Sequence, residues 1–168
     1  MVTDKDCLDK WGTPTPTVKW ENSTGLTLWR SESSLSSQQV IWSIFPEQQE
    51  YSKSCLPNKI YMNKLMVDPF TKAIKDLIAA RLLDDIRTWN GCYNIRRMKV
   101  IKNGKIAFSS KYSLHSWGIA FDIDAAWNQL GKKGDLNPAI VEIFKKNGFD
   151  WGGDFKVEDS MHFQLKEI

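Results

Sequence analysis

The stretch that decides how this chain reads runs from Ser113 to Asp124, SLHSWGIAFDID. Its second half alternates. Taken as a strand, GIAFDIDA points Ile119, Phe121 and Ile123 one way and Ala120, Asp122 and Asp124 the other. His115, one of two histidines in the chain, stands in the loop before that strand. The closing stretch DSMHFQL repeats the pattern. Met161, Phe163 and Leu165 share one face, while the second histidine, His162, shares the other with Gln164. If both strands lie in one sheet, Asp122 and His162 meet above its polar face, and His115 supplies a third corner.

Two imidazoles and a carboxylate suit a catalytic zinc ion, which takes three protein ligands and keeps a fourth position for water. The ion lowers the pKa of that water to about 7. A carboxylate beside the water must then take its proton and hand it to the leaving amine. Asp159, three residues before His162 in the turn EDS, is the candidate, with Glu158 as the neighbouring alternative. Spacing alone leaves a plainer reading open, in which both histidines are structural or exposed. His-x6-Asp with a distant second His is not a self-sufficient signature. On the plainer reading Asp124 is solvated, Gly118 marks a bend, the aromatic residues are core, and Arg96-Arg97 is surface charge. On the metal reading Asp124 and Trp117 are candidates for touching substrate or supporting the ligands from behind.

The rest of the chain frames this pair of strands. Its 168 residues suit one domain with its own core. The hydrophobic fraction of 42% against 26% charged residues excludes a disordered chain. A net charge of +3 is too weak to argue for nucleic acid, though it favours staying near an anionic polymer such as a bacterial wall. Cys7, Cys55 and Cys92 are far apart and form no CxxC, so free thiols are expected rather than a disulfide framework or a cysteine zinc site. MVTDKDCLDKWG lacks the apolar core of a secretory signal, and no apolar run is long enough to span a bilayer. Synthesis in the cytoplasm, no membrane insertion and a monomeric protein are the expectations.

TDKDCLDKWG predicts a short helix capped by Thr3 and ended by Gly12. Residues 13–57, rich in Pro, Ser, Thr and Gln, are expected to form an irregular excursion within a single domain of residues 1–168. Short strands are expected in it at LTLW and QVIWSIF. DPFTKAIKDLIAARLL predicts a helix with Asp68 as cap, Pro69 at the first position, and Phe70, Ala73, Ile74, Leu77 and Ile78 as its buried stripe. Strands with an NGK turn at 103–105 follow. NPAIVEIFKKNG predicts a helix capped by Asn137 and ended at Gly148. Helices and hairpin-like strands are segregated, so the expected class is α+β with a small antiparallel sheet and flanking helices.

Ser113-x-His115-x-x-Gly118-x-Ala120-x-Asp122, followed by Asp159-x-x-His162, resembles the zinc peptidases of bacterial cell walls. These comprise the D-Ala-D-Ala carboxypeptidases and dipeptidases and the L-alanyl-D-glutamate endopeptidases found among phage endolysins, which share a fold with the zinc domain of Hedgehog proteins. WGGDF at 151–155, GCYNIRRMK at 91–99 and NKLMVDPF at 63–70 resemble the endopeptidase branch in particular. The resemblance runs from about residue 58 to 165; residues 13–57 take no part in it. It implies one Zn2+ bound by His115, Asp122 and His162, Asp159 as general base, and Arg96 steadying the oxyanion, with Arg97 one register step away. It also implies that Ser113 orients substrate or His115. Aspartate at the base position, where many carboxypeptidase relatives have glutamate, tilts the reading toward the endopeptidases. The resemblance therefore implies a bacteriolytic hydrolase that cuts peptidoglycan stem peptides after release from a phage-infected cell.

Three alternatives stay open: a D-Ala-D-Ala carboxypeptidase, an iron oxygenase built on a facial triad, and a binding module with a structural zinc. The oxygenase reading sits poorly with the spacing, because its carboxylate usually follows the first histidine by two residues. It also wants a basic residue well after the last histidine, where this chain has only six residues left and no arginine.

Overall fold

The computed structural model describes residues 1–30, 55–57 and 59–168. Its centre is a four-stranded antiparallel sheet ordered β3 (Trp89–Gly91), β6 (Ala120–Ile123), β8 (His162–Leu165) and β7 (Phe149–Trp151). β1 (Leu26–Arg30) pairs with β2 (Lys59–Asn63), and β4 (Arg97–Lys102) pairs with β5 (Lys105–Tyr112), each as a separate two-stranded sheet. Four helices are described: α1 (Asp4–Trp11), α2 (Val18–Thr24), α3 (Lys64–Ala79) and α4 (Pro138–Lys146). The α+β class expected from the sequence holds. No described helix is long and apolar enough to cross a membrane.

The alternation in the central strands builds the core. Ile119, Phe121, Ile123 and Phe163 have no exposed surface. Phe121 is the hub, stacked on Phe163 at 5.3 Å and on Trp89 at 5.6 Å between ring centroids. Phe70 of α3 and Phe144 of α4 meet it at 5.3 and 5.0 Å. Burying rings of this size contributes about 1.5–3 kcal/mol each, so this aromatic cluster fixes how β6 and β8 sit. The opposite face of the same two strands is then free to carry polar groups.

The predicted helices form, with differences at their ends. Thr3 caps α1 in a reciprocal capping box with Asp6, and Gly12 follows its last turn. Asn137 caps α4, Pro138 opens it, and two lysines close it. The stripe Phe70, Ala73, Ile74, Leu77 and Ile78 is buried as expected, joined by Met66. The start of α3 is corrected: Asn63 is the cap, not Asp68, and Pro69 lies inside the helix. The Asn63 side chain accepts from the Leu65 N–H at 3.1 Å and donates to the carbonyls of Thr24 and Trp117. That buried anchorage starts the helix five residues early and outweighs the one backbone bond that Pro69 cannot make. The far end is corrected too. Arg81 turns left-handed at φ 58, and the Leu82 N–H reaches back to the Leu77 carbonyl, closing the helix at Ala79 rather than Leu83.

In the Pro- and Thr-rich region the strand expected at LTLW is β1. The region also holds α2, which was not expected, capped by Thr17 and ended by a left-handed Gly25. The strand expected at QVIWSIF lies outside the described residues. Asn103 and Gly104 both take positive φ in the tight turn between β4 and β5, as the NGK motif predicts. Cys7, Cys55 and Cys92 are free thiols. Burial pushes Cys7 up to about 12 and Cys55 up to about 11.

Candidate metal centre

Asp122 on β6 stands directly opposite His162 on β8 in the antiparallel register. Their side chains therefore rise on one face, away from Phe121 and Phe163. His115 comes from a 3-10 turn, Leu114–Trp117, that ends in a left-handed Gly118. Gly118 cannot be replaced at no cost: a Cβ there would lie 2.9 Å from the Asn63 nitrogen and 2.7 Å from Leu26. This close approach lets β2, with Asn63 donating to the Gly118 carbonyl at 2.9 Å, hold the turn against the sheet.

The three side chains converge. His115 Nε2 lies 3.2 Å from Asp122 Oδ1 and 3.2 Å from His162 Nδ1, and His162 Nδ1 lies 3.1 Å from Asp122 Oδ1. These residues form a group placed to hold a metal ion. Their protonation follows from their other partners. His115 Nδ1 sits 2.6 Å from the Cys92 carbonyl, which can only accept, so Nδ1 carries the proton and Nε2 offers its lone pair. Gln164 Nε2 donates to the Val2 carbonyl at 3.1 Å, which turns its amide oxygen toward His162 Nε2 at 3.3 Å. His162 therefore donates through Nε2 and offers the Nδ1 lone pair to the cluster.

Two imidazole lone pairs and a carboxylate oxygen thus face one another with no proton among them when both rings are neutral. Such a cluster repels itself unless a cation fills it. Three donors bound tetrahedrally to one zinc at about 2.0–2.1 Å would stand roughly 3.3–3.4 Å apart, so the observed triangle fits a small cation with a slight spread. The charges answer in the same sense. Burial disfavours the ionised Asp122 carboxyl, but the imidazoles, His115 first, outweigh it and hold it well below the usual carboxylate range. Burial also disfavours a charged His162, yet the Asp122 carboxylate raises its pKa.

Around the triangle stand the other candidates. Asp159 accepts the His162 N–H on its backbone carbonyl at 2.9 Å, and its own N–H goes to the Gly152 carbonyl at 2.9 Å. Its Oδ1 is buried without a hydrogen-bond partner among the described residues. Burial raises its carboxyl, and the charges of His162, Asp122, His115 and Arg96 all act on it. Glu158 is exposed and so less able to serve. The WGGDF motif explains the location of Asp159. Trp151 Nε1 donates to the Ser160 carbonyl at 2.8 Å, and a Cβ on Gly152 would collide with the Asp159 carbonyl oxygen.

Arg96 and Arg97 separate by one register step. Arg96 is a quarter exposed, with a guanidinium nitrogen 3.9 Å from Asp122 Oδ2. Ser116 Oγ and the Ser113 N–H clip its backbone to the histidine turn. Arg97 points along the hairpin, donating to the Ser110 carbonyl at 2.5 Å and lying over the Tyr112 ring.

Three further candidates have well-defined surroundings of their own. Asp124 does not share the face of Asp122: β6 has ended, its φ is 53, and its carboxylate accepts from the Arg87 and Thr88 backbone N–H groups and from Arg87 Nε. It ties the loop before β3 rather than facing the triangle. Trp117 has no exposed surface and donates to the Gly12 carbonyl, so it is core. Ser113 is buried and opens the turn without a side-chain capping bond. Sequence reasoning missed the Cys92 carbonyl, which carries no residue-type signal. It also missed the role of Gln164, whose place on the His162 face was visible in the alternation.

A family model described as D-alanyl-D-alanine carboxypeptidase matches residues 107–165, roughly a third of the chain. The matched span contains His115, Asp122, Asp159 and His162. No curated protein and no solved structure gives a significant match.

Proposed function

We propose that this protein is a zinc peptidase that hydrolyses the stem peptides of peptidoglycan, with the L-alanyl-D-glutamate bond as its target and lysis by a phage or prophage as its role. The observation that carries the reading is the triangle of three mutually facing acceptors. The matched family model supports the peptidase class, and the WGGDF and GCYNIRR motifs, which build the site's walls, favour the endopeptidase branch.

His115 Nε2, Asp122 Oδ1 and His162 Nδ1 would hold a zinc ion, which would supply Lewis acidity and lower the pKa of a bound water to about 7. The chain's own groups do the rest. Asp159 takes the proton of the attacking water on its unpartnered Oδ1 and carries it to the departing amine. Its burial, which makes the carboxyl more basic than usual, suits both halves of that task. Arg96 points its guanidinium at the scissile carbonyl oxygen and stabilises the charge that develops there. Gln164 and the Cys92 carbonyl keep both imidazoles in the tautomer the ligand set needs. Residues 1–168 act as one catalytic domain on this reading, since Val2 and Gly12 hydrogen-bond residues of the site and its supporting turn.

The description of the matching model favours one second reading, a D-Ala-D-Ala carboxypeptidase. Digestion of a defined wall preparation, followed by mass spectrometry, separates the two. New glutamate amino termini are the expected product. Free alanine without them establishes the carboxypeptidase, and no released peptide or amino acid removes both.

A further inference from the structure

The β4–β5 hairpin is separate from the central sheet, pairs with no other strand among the described residues, and leaves most of both faces exposed. Residues 96–112, RRMKVIKNGKIAFSSKY, carry six basic side chains and no acidic one. The whole chain is +3, so the remainder is net acidic and the positive charge is concentrated on this arm. Lys99, Lys102, Lys105 and Lys111 are exposed, and none enters an ion pair among the described residues.

Lysines on a hairpin edge have a common explanation, since they discourage pairing with other chains. That explanation does not cover the apolar residues between them. Register places Lys99 opposite Phe108 and Ile101 opposite Ile106, so these four share one face. Phe108 is 67% exposed and Ile106 62% exposed. An aromatic and an aliphatic side chain open to water, with Lys99 on their own face and the paired Lys102 and Lys105 on the other face of the same narrow hairpin, form a surface for a partner that is both anionic and partly apolar. The hairpin is also continuous with the candidate site: Arg96 enters β4, and the chain leaves β5 through Ser113 to His115, with the Ser113 N–H bonded to the Arg96 carbonyl at 3.0 Å.

We infer that this hairpin is a polymer-binding arm that grips the peptidoglycan strand beside the catalytic site. Its lysines pair with stem-peptide carboxylates, while Phe108 and Ile106 lie on the apolar faces of the sugars. The inference rests on the proposed function for the identity of the polymer.

The test is co-sedimentation with purified sacculi stripped of proteins and secondary wall polymers, alongside vesicles of anionic phospholipid. Two variants are compared with wild type: Lys99→Gln/Lys102→Gln/Lys105→Gln/Lys111→Gln, and Ile106→Ser/Phe108→Ser. Thermal melting and bound zinc report folding, and the exposed positions leave both near wild type. Each variant is expected to bind stripped sacculi at least tenfold more weakly. Wild-type binding should fall with salt, and the lysine variant should lose that salt dependence. Retention equal to wild type in both variants overturns the inference. So does wild-type binding that disappears when secondary polymers are stripped, or hairpin-dependent binding that appears only on the vesicles. A wild-type protein that binds sacculi through the hairpin but releases no peptide supports the arm and refutes the peptidase reading, so the two failures are distinguishable.

Discussion

Replacing Gln164 by leucine isolates the step that sets the tautomer of His162. Leucine keeps most of the volume but neither accepts from His162 Nε2 nor donates to the Val2 carbonyl, bonds of 3.3 and 3.1 Å in the native protein. Gln164 and His162 are buried, so water does not readily replace the lost partners. Each orphaned group costs about 1–3 kcal/mol of folding stability. Loss of a group supporting a metal-binding histidine weakens metal affinity by about 10–100-fold. Gln164→Glu separates the two effects. A glutamate oxygen still accepts from His162, but no donor remains for the Val2 carbonyl. Gln164→Glu is therefore expected to lose stability while holding zinc within about threefold of wild type, whereas Gln164→Leu loses both. Zinc affinity is read by competition with a chromophoric chelator, stability by thermal melting, and the His162 tautomer by long-range proton–nitrogen correlations. A Gln164→Leu protein that binds zinc as tightly as wild type, with His162 still protonated at Nε2, would refute the reasoning and leave Gln164 a structural side chain only.

The remaining predictions concern the reaction. Asp159→Ala should retain zinc, because its carboxylate is not one of the three converging donors, while wall hydrolysis falls by about 10²–10⁴-fold; unchanged activity removes Asp159 from the mechanism. Arg96→Ala should lower kcat by about 10²–10³-fold, and Arg97→Ala should leave kcat on a soluble stem peptide within about twofold, since its guanidinium is committed to Ser110 and Tyr112. Equal losses in the two arginine variants, measured on that peptide, would void the assignment.

What the sequence revealed depended on periodicity. The two-residue alternation in GIAFDIDA and MHFQL correctly separated Phe121 and Phe163 from Asp122 and His162, because a strand with one buried face repeats its chemistry strictly. The same rule failed one step further on. It extended β6 to Asp124, where the backbone turns left-handed and sends the carboxylate to Arg87. A left-handed aspartate leaves no mark in a hydrophobicity pattern. Pro69 misled in a similar way: proline at a first helical position is favourable on local grounds, but the bonds of Asn63 to Thr24 and Trp117 are non-local. Arg96 and Arg97 differ in contacts that only the folded hairpin reveals: Arg96 stands 3.9 Å from Asp122, whereas Arg97 donates to the Ser110 carbonyl and lies over Tyr112.

The supports of the triangle suggest how the chain tolerates it. His115 is fixed by the carbonyl of Cys92, and its own carbonyl takes the Asn94 N–H at 3.0 Å. His162 is fixed through Gln164 by the carbonyl of Val2. Asp122 is fixed by the register of β6 on β8, under which the aromatic cluster packs. None of these constraints lets a donor swing away to relieve the repulsion, so the metal-free protein must either protonate a ring or endure the strain. The raised pKa of His162 corresponds to the first course. A cation that replaces that proton binds the folded state and not the unfolded one, and so stabilises the fold by RT ln(1 + [L]/Kd). Preorganisation at the triangle thereby couples metal affinity to folding, through the core beneath the sheet and through a carbonyl contributed by the second residue of the chain.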